Sequence, residues 1–133
     1  MILQLIKLLP EKYNIIRMGA ESLPGGELPP AYPFCSFVVN IQVCSIGHRD
    51  PYDDLMCLVV PIGRFEGGQL CFYEPGLILD VDPGDVIIFP SSDITHFNLH
   101  FKGIRHSLVC QSDKAMRAWA ERKNGWEPFI NFS

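Results

Sequence analysis

From residue 34 onward the sequence consists of short apolar runs separated by turns, and this alternation constrains the fold more than any other feature. The runs contain many β-branched and aromatic residues, which favour strands. Their predicted bounds are 37–43, 55–62, 69–73, 77–81, 86–89, 95–101 and 105–110. The predicted turns lie at Gly67-Gly68, Pro75-Gly76, Pro83-Gly84 and Lys102-Gly103. About seven short strands joined in this way indicate an all-β sandwich or barrel.

Helices are expected at the two ends of the chain. Apolar residues recur at helical spacing before Pro10 and predict a short N-terminal helix that ends there. Residues 19–33 are rich in glycine and proline and are predicted to be a loop. Residues 113–123 predict a C-terminal helix, with Asp113 as its N-cap. We therefore divide the chain into an N-terminal region, 1–33, and a β domain with a C-terminal helix, 34–133.

Charge and cysteine content argue against several functional classes. The formal net charge of −4 creates no overall field that attracts nucleic acid. Five cysteines include no Cys-x-x-Cys pair, so a structural zinc site is not expected, and their odd number argues against a disulfide framework. The apolar stretch 1–9 is too short to span a membrane and lacks the features of a signal peptide. The expected location is intracellular, in the cytoplasm or the nucleus.

Three residues, His48, Asp50 and His96, have side chains that commonly bind metal ions. His48 and Asp50 are two positions apart in what should be extended chain, so their side chains point the same way. His96 follows a buried strand and can supply a third ligand. Two imidazoles and one carboxylate form the facial triad of non-haem Fe(II) sites. The alternative is a surface His–Asp pair and an unrelated histidine.

A second set of polar residues is predicted on the strands. Arg105 and Ser107 share strand parity, and a guanidinium beside a hydroxyl can bind a carboxylate. The alternative is an exposed arginine in a weak ion pair. Asn40 should face inward if Val39 and Ile41 face outward.

Five motifs follow one another between residues 37 and 113. They are His48-Arg49-Asp50, Gly67-Gly68-Gln69-Leu70, Pro83-Gly84-Asp85-Val86-Ile87-Ile88-Phe89-Pro90-Ser91, His96 and Gly103-Ile104-Arg105-His106-Ser107-Leu108. This segment resembles the Fe(II)- and 2-oxoglutarate-dependent dioxygenases, and the ordered set is more specific than any single motif. The resemblance implies a double-stranded β-helix, or jelly roll.

The same resemblance implies an activity and roles for residues. His48, Asp50 and His96 would bind Fe(II), and Arg105 with Ser107 would bind the distal carboxylate of the cosubstrate 2-oxoglutarate. Asn40 would either hydrogen-bond 2-oxoglutarate or satisfy buried backbone. The implied reaction hydroxylates an organic substrate and releases succinate and CO2. Larger family members have more helices before the first barrel strand, so residues 1–33 are expected to be a truncated support region.

Within the superfamily, the TET/J-binding-protein-like and the prolyl-hydroxylase-like members are the most similar. TET-type enzymes oxidise methylated pyrimidines in DNA, which makes modified cytosine a special case. The substrate classes left open are a small molecule, a protein side chain and a modified nucleobase. A non-catalytic or truncated jelly-roll metal-binding module, similar to a cupin, is the alternative, although cupins usually carry a histidine where this chain has Asp50.

The sequence also contains polar residues outside these motifs, namely His100, His106 and residues 52–54. His100 shares strand parity with His96, so it could line the same cavity or replace His96 as a ligand. His106 should point away from Arg105 and have a structural role. Residues 52–54, Tyr-Asp-Asp, could contact the substrate, although a solvated turn is the favoured expectation.

Overall fold

A computed structural model of the protein describes residues 7–23, 26–43, 46–115 and 118. The helix that is described from end to end is α1, Pro10–Glu21, with 12 residues. This part of the chain also contains seven strands: β1 Ser36–Ile41, β2 Cys57–Gly67, β3 Leu70–Phe72, β4 Leu77–Leu79, β5 Ile87–Phe89, β6 His96–Asn98 and β7 Phe101–Gln111. The β-rich core predicted from the sequence is confirmed.

The strands form two antiparallel sheets. The larger has the order β1-β7-β2-β5, and the smaller has the order β4-β3-β6. The longest pairing joins β2 and β7, from Leu58 opposite Cys110 to Gly67 opposite Phe101. Strand β7 therefore connects β1 to the rest of the larger sheet.

Each face of the larger sheet packs against a different element. Cys57 and Leu58 are consecutive, so they point to opposite faces of β2. Cys57 packs with Leu70 and Phe72, which places the smaller sheet on that side. Leu58 packs with Ile16 of α1 on the other side, where Phe34, Met56 and Cys110 complete the cluster. The space between the sheets, on the Cys57 side, is where the candidate site lies.

Lys7 and Leu8 are helical and Leu9 is not, as expected if the predicted N-terminal helix ends before Pro10. The predicted start of the loop at residue 19 is wrong, because a second helix, α1, begins at Pro10 and continues to Glu21. The Tyr13 N–H bonds to the Leu9 carbonyl in the first turn of α1. Proline is well suited to begin this helix because its missing N–H would have no partner inside the helix. Residues 1–6, which carry most of the predicted apolar face, lie outside the described residues.

The predicted hairpin turn at Lys102-Gly103 is also wrong. Strand β7 runs through both residues, and Gly103 lies opposite Phe65 of β2. Gly103 has a φ of 105°, and a Cβ there would lie 2.3 Å from the Arg64 carbonyl oxygen. The glycine therefore marks a close approach of two strands, and the connection from β6 to β7 is Leu99–His100.

The predicted C-terminal helix lies largely outside the described residues. At its predicted start, the Ala115 N–H donates to Asp113 Oδ1 at 2.8 Å, as expected of an N-cap aspartate. Within the described ranges, no helix combines the length and the apolar character that crossing a bilayer requires.

Candidate metal centre

Backbone pairing places His48 beside His96. The His48 N–H bonds to the His96 carbonyl at 3.2 Å, and the His96 N–H bonds to the His48 carbonyl at 3.0 Å. This isolated antiparallel bridge joins the loop after β1 to the first residue of β6. The two imidazole centroids are 4.4 Å apart as a result.

Asp50 completes the cluster. Its Oδ1 lies 3.5 Å from His48 Nε2, and its Oδ2 lies 3.3 Å from His96 Nε2. One ligand atom from each residue lies within 4.8 Å of the other two. The Asp50 backbone is held by its N–H, which donates to the Ser91 carbonyl at 3.0 Å. The structure thus brings together the three residues that the sequence proposed as ligands.

The hydrogen bonds of the two rings determine which nitrogen faces the cluster. His48 Nδ1 lies 2.8 Å from the Ile46 carbonyl, and His96 Nδ1 lies 2.8 Å from the Ile94 carbonyl. A carbonyl only accepts, so each Nδ1 must donate, and a neutral ring then presents the Nε2 lone pair.

The donor set fits a divalent cation. In that tautomer, both Nε2 lone pairs and the Asp50 carboxylate converge with no proton between them, an arrangement that a cation satisfies. Donation of the second ring nitrogen to a carbonyl is also what orients metal-binding histidines.

A cavity of about 310 Å³ contains this cluster and lies between the two sheets. The polar side chains that line it come from both sheets and the intervening loop. They are Asn40, His48, Asp50, His96, Asn98, Arg105, Ser107 and Gln111. The cavity therefore includes the preferred ligands His48, Asp50 and His96 and the three residues proposed for the cosubstrate, which are Asn40, Arg105 and Ser107. It also includes Asn98, which shares strand parity with His96 and could have been predicted on that basis.

Arg105 is a buried cation in this cavity, with 3 % of its surface exposed. Its guanidinium carbon lies 5.3 Å from the Phe65 ring centroid and 6.0 Å from that of Phe101, within reach of cation–π attraction. The alternative of an exposed strand arginine is therefore wrong. A cation in this position is well placed to attract an anionic group.

Asn40 and Ser107 lie opposite each other on β1 and β7. Asn40 Nδ2 donates to Ser107 Oγ at 3.4 Å, and both side chains line the cavity. Val39 and Ile41, on either side of Asn40, are 52 % and 66 % exposed. The inward orientation predicted for Asn40 is thus what the structure has.

The other two histidines lie elsewhere. His100 is exposed and borders a separate surface depression with Glu66 and Lys102. His106 Nδ1 accepts a hydrogen bond from the Gln42 N–H at 3.3 Å, where β1 ends beside β7. Neither belongs to the described metal-ligand cluster, which contains His48, Asp50 and His96.

The expected solvated turn at residues 52–54 is wrong for two of its members. Asp53 and Asp54 are buried, and only Tyr52 is exposed. Burial raises the pKa of Asp53, while the Ser91 hydroxyl, which donates to Asp53 Oδ2 at 2.5 Å, acts in the opposite direction. The Ser91 carbonyl also accepts the Asp50 N–H, so the buried Asp53–Ser91 pair helps to hold Asp50 in the metal cluster. The burial of Asp53 could not be predicted from its neighbours in the sequence, because its partner Ser91 is 38 residues away.

Comparison with known proteins adds a structural similarity. No protein-family model matches the sequence, and no curated protein matches it either. The structure is similar to that of NgTET1 in complex with 5mC DNA, with a TM-score of 0.70 and 19 % sequence identity. The similarity covers 87 % of this chain and 47 % of that one, so the chain spans about half the length of this structural neighbour. At this identity, the similarity shows a shared β-rich fold.

Proposed function

We propose that the chain is an Fe(II)- and 2-oxoglutarate-dependent dioxygenase built on a double-stranded β-helix. The observation that carries the proposal is that the His48–Asp50–His96 cluster and the buried Arg105 line one cavity. Similarity to the NgTET1 structure supports the fold assignment. We assign residues 34–133 to the jelly roll and residues 1–33 to a supporting region.

The three clustered side chains would hold the metal. His48 and His96 would each bind it through Nε2, with their Nδ1 atoms fixed by backbone carbonyls. Asp50 would supply one carboxylate oxygen and the only negative charge of the set. When bound, Fe(II) would supply O2 activation, coupled to conversion of 2-oxoglutarate to succinate and CO2 and to hydroxylation of a substrate C–H bond.

The residues of β7 would bind the cosubstrate. Arg105 offers a planar pair of N–H donors to the distal carboxylate of 2-oxoglutarate. Ser107 would donate its hydroxyl, and Asn40 orients that hydroxyl from the neighbouring strand. Burial of Arg105 strengthens the attraction because little water competes for the carboxylate.

The proposed substrate class is an organic C–H donor, and modified cytosine in DNA is the special case to test first. The structural neighbour was solved with 5mC DNA. The net charge of −4 argues against strong phosphate binding by this chain alone. A small molecule and a protein side chain are the other two classes.

The proposal is tested by turnover under air with Fe(II), 2-oxoglutarate and ascorbate. We expect O2 uptake matched by equal succinate release, and a visible absorption band when Fe(II) and 2-oxoglutarate are added without O2. Stimulation by duplex DNA carrying 5-methylcytosine, and not by unmodified duplex, would identify the substrate. Metal binding with no succinate under any of these conditions would instead support a non-catalytic, cupin-like module.

Because Gly68 has no side chain, it leaves space for the side chain of Arg105. A Cβ at Gly68 would lie 2.9 Å from Arg105 Nε and 3.0 Å from its Cδ. We expect Gly68→Ala to displace the guanidinium and weaken 2-oxoglutarate binding about tenfold, the effect of losing one hydrogen bond to a charged group. Isothermal titration of the Fe(II)-loaded protein measures this change.

Gly76→Ala is the matched control. Gly68 and Gly76 have φ values of 70° and 67°, so alanine is strained similarly at both. A Cβ at Gly76 meets no atom within 4 Å, however. Equal losses of 2-oxoglutarate affinity in the two variants would mean that backbone strain, and not Arg105, is responsible.

A further inference from the structure

Arg49 lies between two of the proposed ligands but faces away from the cavity. His48 and Asp50 line the cavity, whereas the Arg49 guanidinium contacts the turn after β3. There, Arg49 Nη2 donates to Glu74 Oε2 at 3.0 Å. The segment that carries His48 and Asp50 therefore has a contact on the side that faces away from the cavity, in addition to its backbone bonds to His96 and Ser91.

Glu74 connects this segment to the one that carries His96. Its Oε1 accepts the Thr95 N–H at 2.6 Å, and Thr95 directly precedes His96. Arg49 Nε donates to Thr95 Oγ1 at 3.2 Å, which closes a ring of three contacts. Glu74, Arg49 and Thr95 come from three separate segments, and two of these carry proposed metal ligands.

The electrostatics of Glu74 match this arrangement. The hydrogen bond from Thr95, followed by that from Arg49, lowers the pKa of Glu74 to about 2. The carboxylate, which any glutamate has in ionised form at neutral pH, therefore also stays ionised under acidic conditions. Glu74 and Arg49 keep 37 % and 50 % of their side-chain surface exposed, and such pairs contribute little to global stability. The effect of the link should appear in local geometry.

We propose that Glu74 is a positioning residue of the metal centre, which holds the His48–Asp50 segment against His96 through Arg49 and Thr95. The inference rests on the proposed metal site. Its physical basis is preorganisation: ligands fixed by outer contacts lose less freedom when they bind an ion. Glu74 contacts neither the ion nor the cosubstrate.

Titration of the full chain with Co(II) alone tests this role without requiring turnover. We expect Glu74→Ala to raise the Kd for Co(II) about tenfold, at the low end of the range for residues that orient metal ligands. The visible bands of bound Co(II) should also change, because they report coordination geometry. Asp80→Ala, which removes an exposed carboxylate just after β4, should leave the Kd and the bands unchanged.

A double-mutant cycle separates positioning from a general loss of charge. Arg49→Ala should weaken Co(II) binding by a similar factor, and the double variant should be little worse than either single one because both cut the same link. Glu74→Gln keeps an acceptor for the Thr95 N–H, so its Kd should lie between those of wild type and Glu74→Ala. Melting temperatures of the metal-free variants should stay near that of wild type.

The outcomes distinguish this inference from the proposed function. Glu74→Ala binding Co(II) as tightly as Asp80→Ala would overturn the positioning role, and so would additive losses in the cycle. If Glu74→Ala does not fold, a wild-type Kd for Glu74→Gln overturns it equally. Equal Co(II) binding by wild type and Asp50→Ala would show that the metal site itself is misassigned.

Discussion

Replacing Asp50 by alanine is expected to reduce the affinity of the chain for Fe(II) by more than about 100-fold, beyond the effect of losing a residue that merely orients a ligand. Asp50 supplies the only charged donor of the cluster, and its two oxygens lie near both Nε2 atoms. The two imidazoles that remain make a weak, neutral site. Anaerobic titration with Fe(II) against a competing chromophoric chelator measures the change, and succinate release should fall with it.

The control for this variant is Asp80→Ala, which removes a carboxylate of the same charge outside the cavity. Circular dichroism of both variants checks that the sheets are intact. An Fe(II) affinity of Asp50→Ala within twofold of wild type would mean that the metal binds elsewhere or that the triad is a surface cluster. The dioxygenase proposal would then lose its central observation.

Side-chain parity made the inner wall of the cavity predictable. His48 and Asp50 are two residues apart, as are Arg105 and Ser107, and alternate residues of extended chain share a side. The same rule gave the inward direction of Asn40. These relations are local, so they can be read from the sequence before any pairing between strands is known.

Pairing between distant strands was not predictable in the same way. Gly103 was interpreted as a turn residue because glycine usually marks one. In the structure it lies within β7, where the absence of a side chain allows Arg64 and Phe65 of β2 to approach closely. The burial of Asp53 likewise depends on Ser91, and the outer link depends on Glu74 reaching Arg49 and Thr95. Each of these contacts joins residues at least 21 positions apart.

Replacing Arg105 by alanine is expected to weaken 2-oxoglutarate binding by about 1.5–3 kcal/mol, the value of hydrogen bonds to a charged group. This corresponds to a Kd increase of roughly 10- to 150-fold. Fe(II) affinity should change much less, because the metal ligands lie on other segments. Arg105→Lys should recover only part of the loss, since an ammonium keeps the charge but not the planar pair of donors.

Arg64→Ala is the matched control for this experiment. Arg64 is exposed on the neighbouring strand β2, opposite Ile104, and does not line the cavity. It should leave 2-oxoglutarate binding unchanged, whereas general electrostatic attraction would make both variants weaker. Unchanged affinity in Arg105→Ala would show that the cosubstrate carboxylate is bound elsewhere. The ligand to seek at Arg105, a buried cation that lines the cavity, would then be a different anionic molecule.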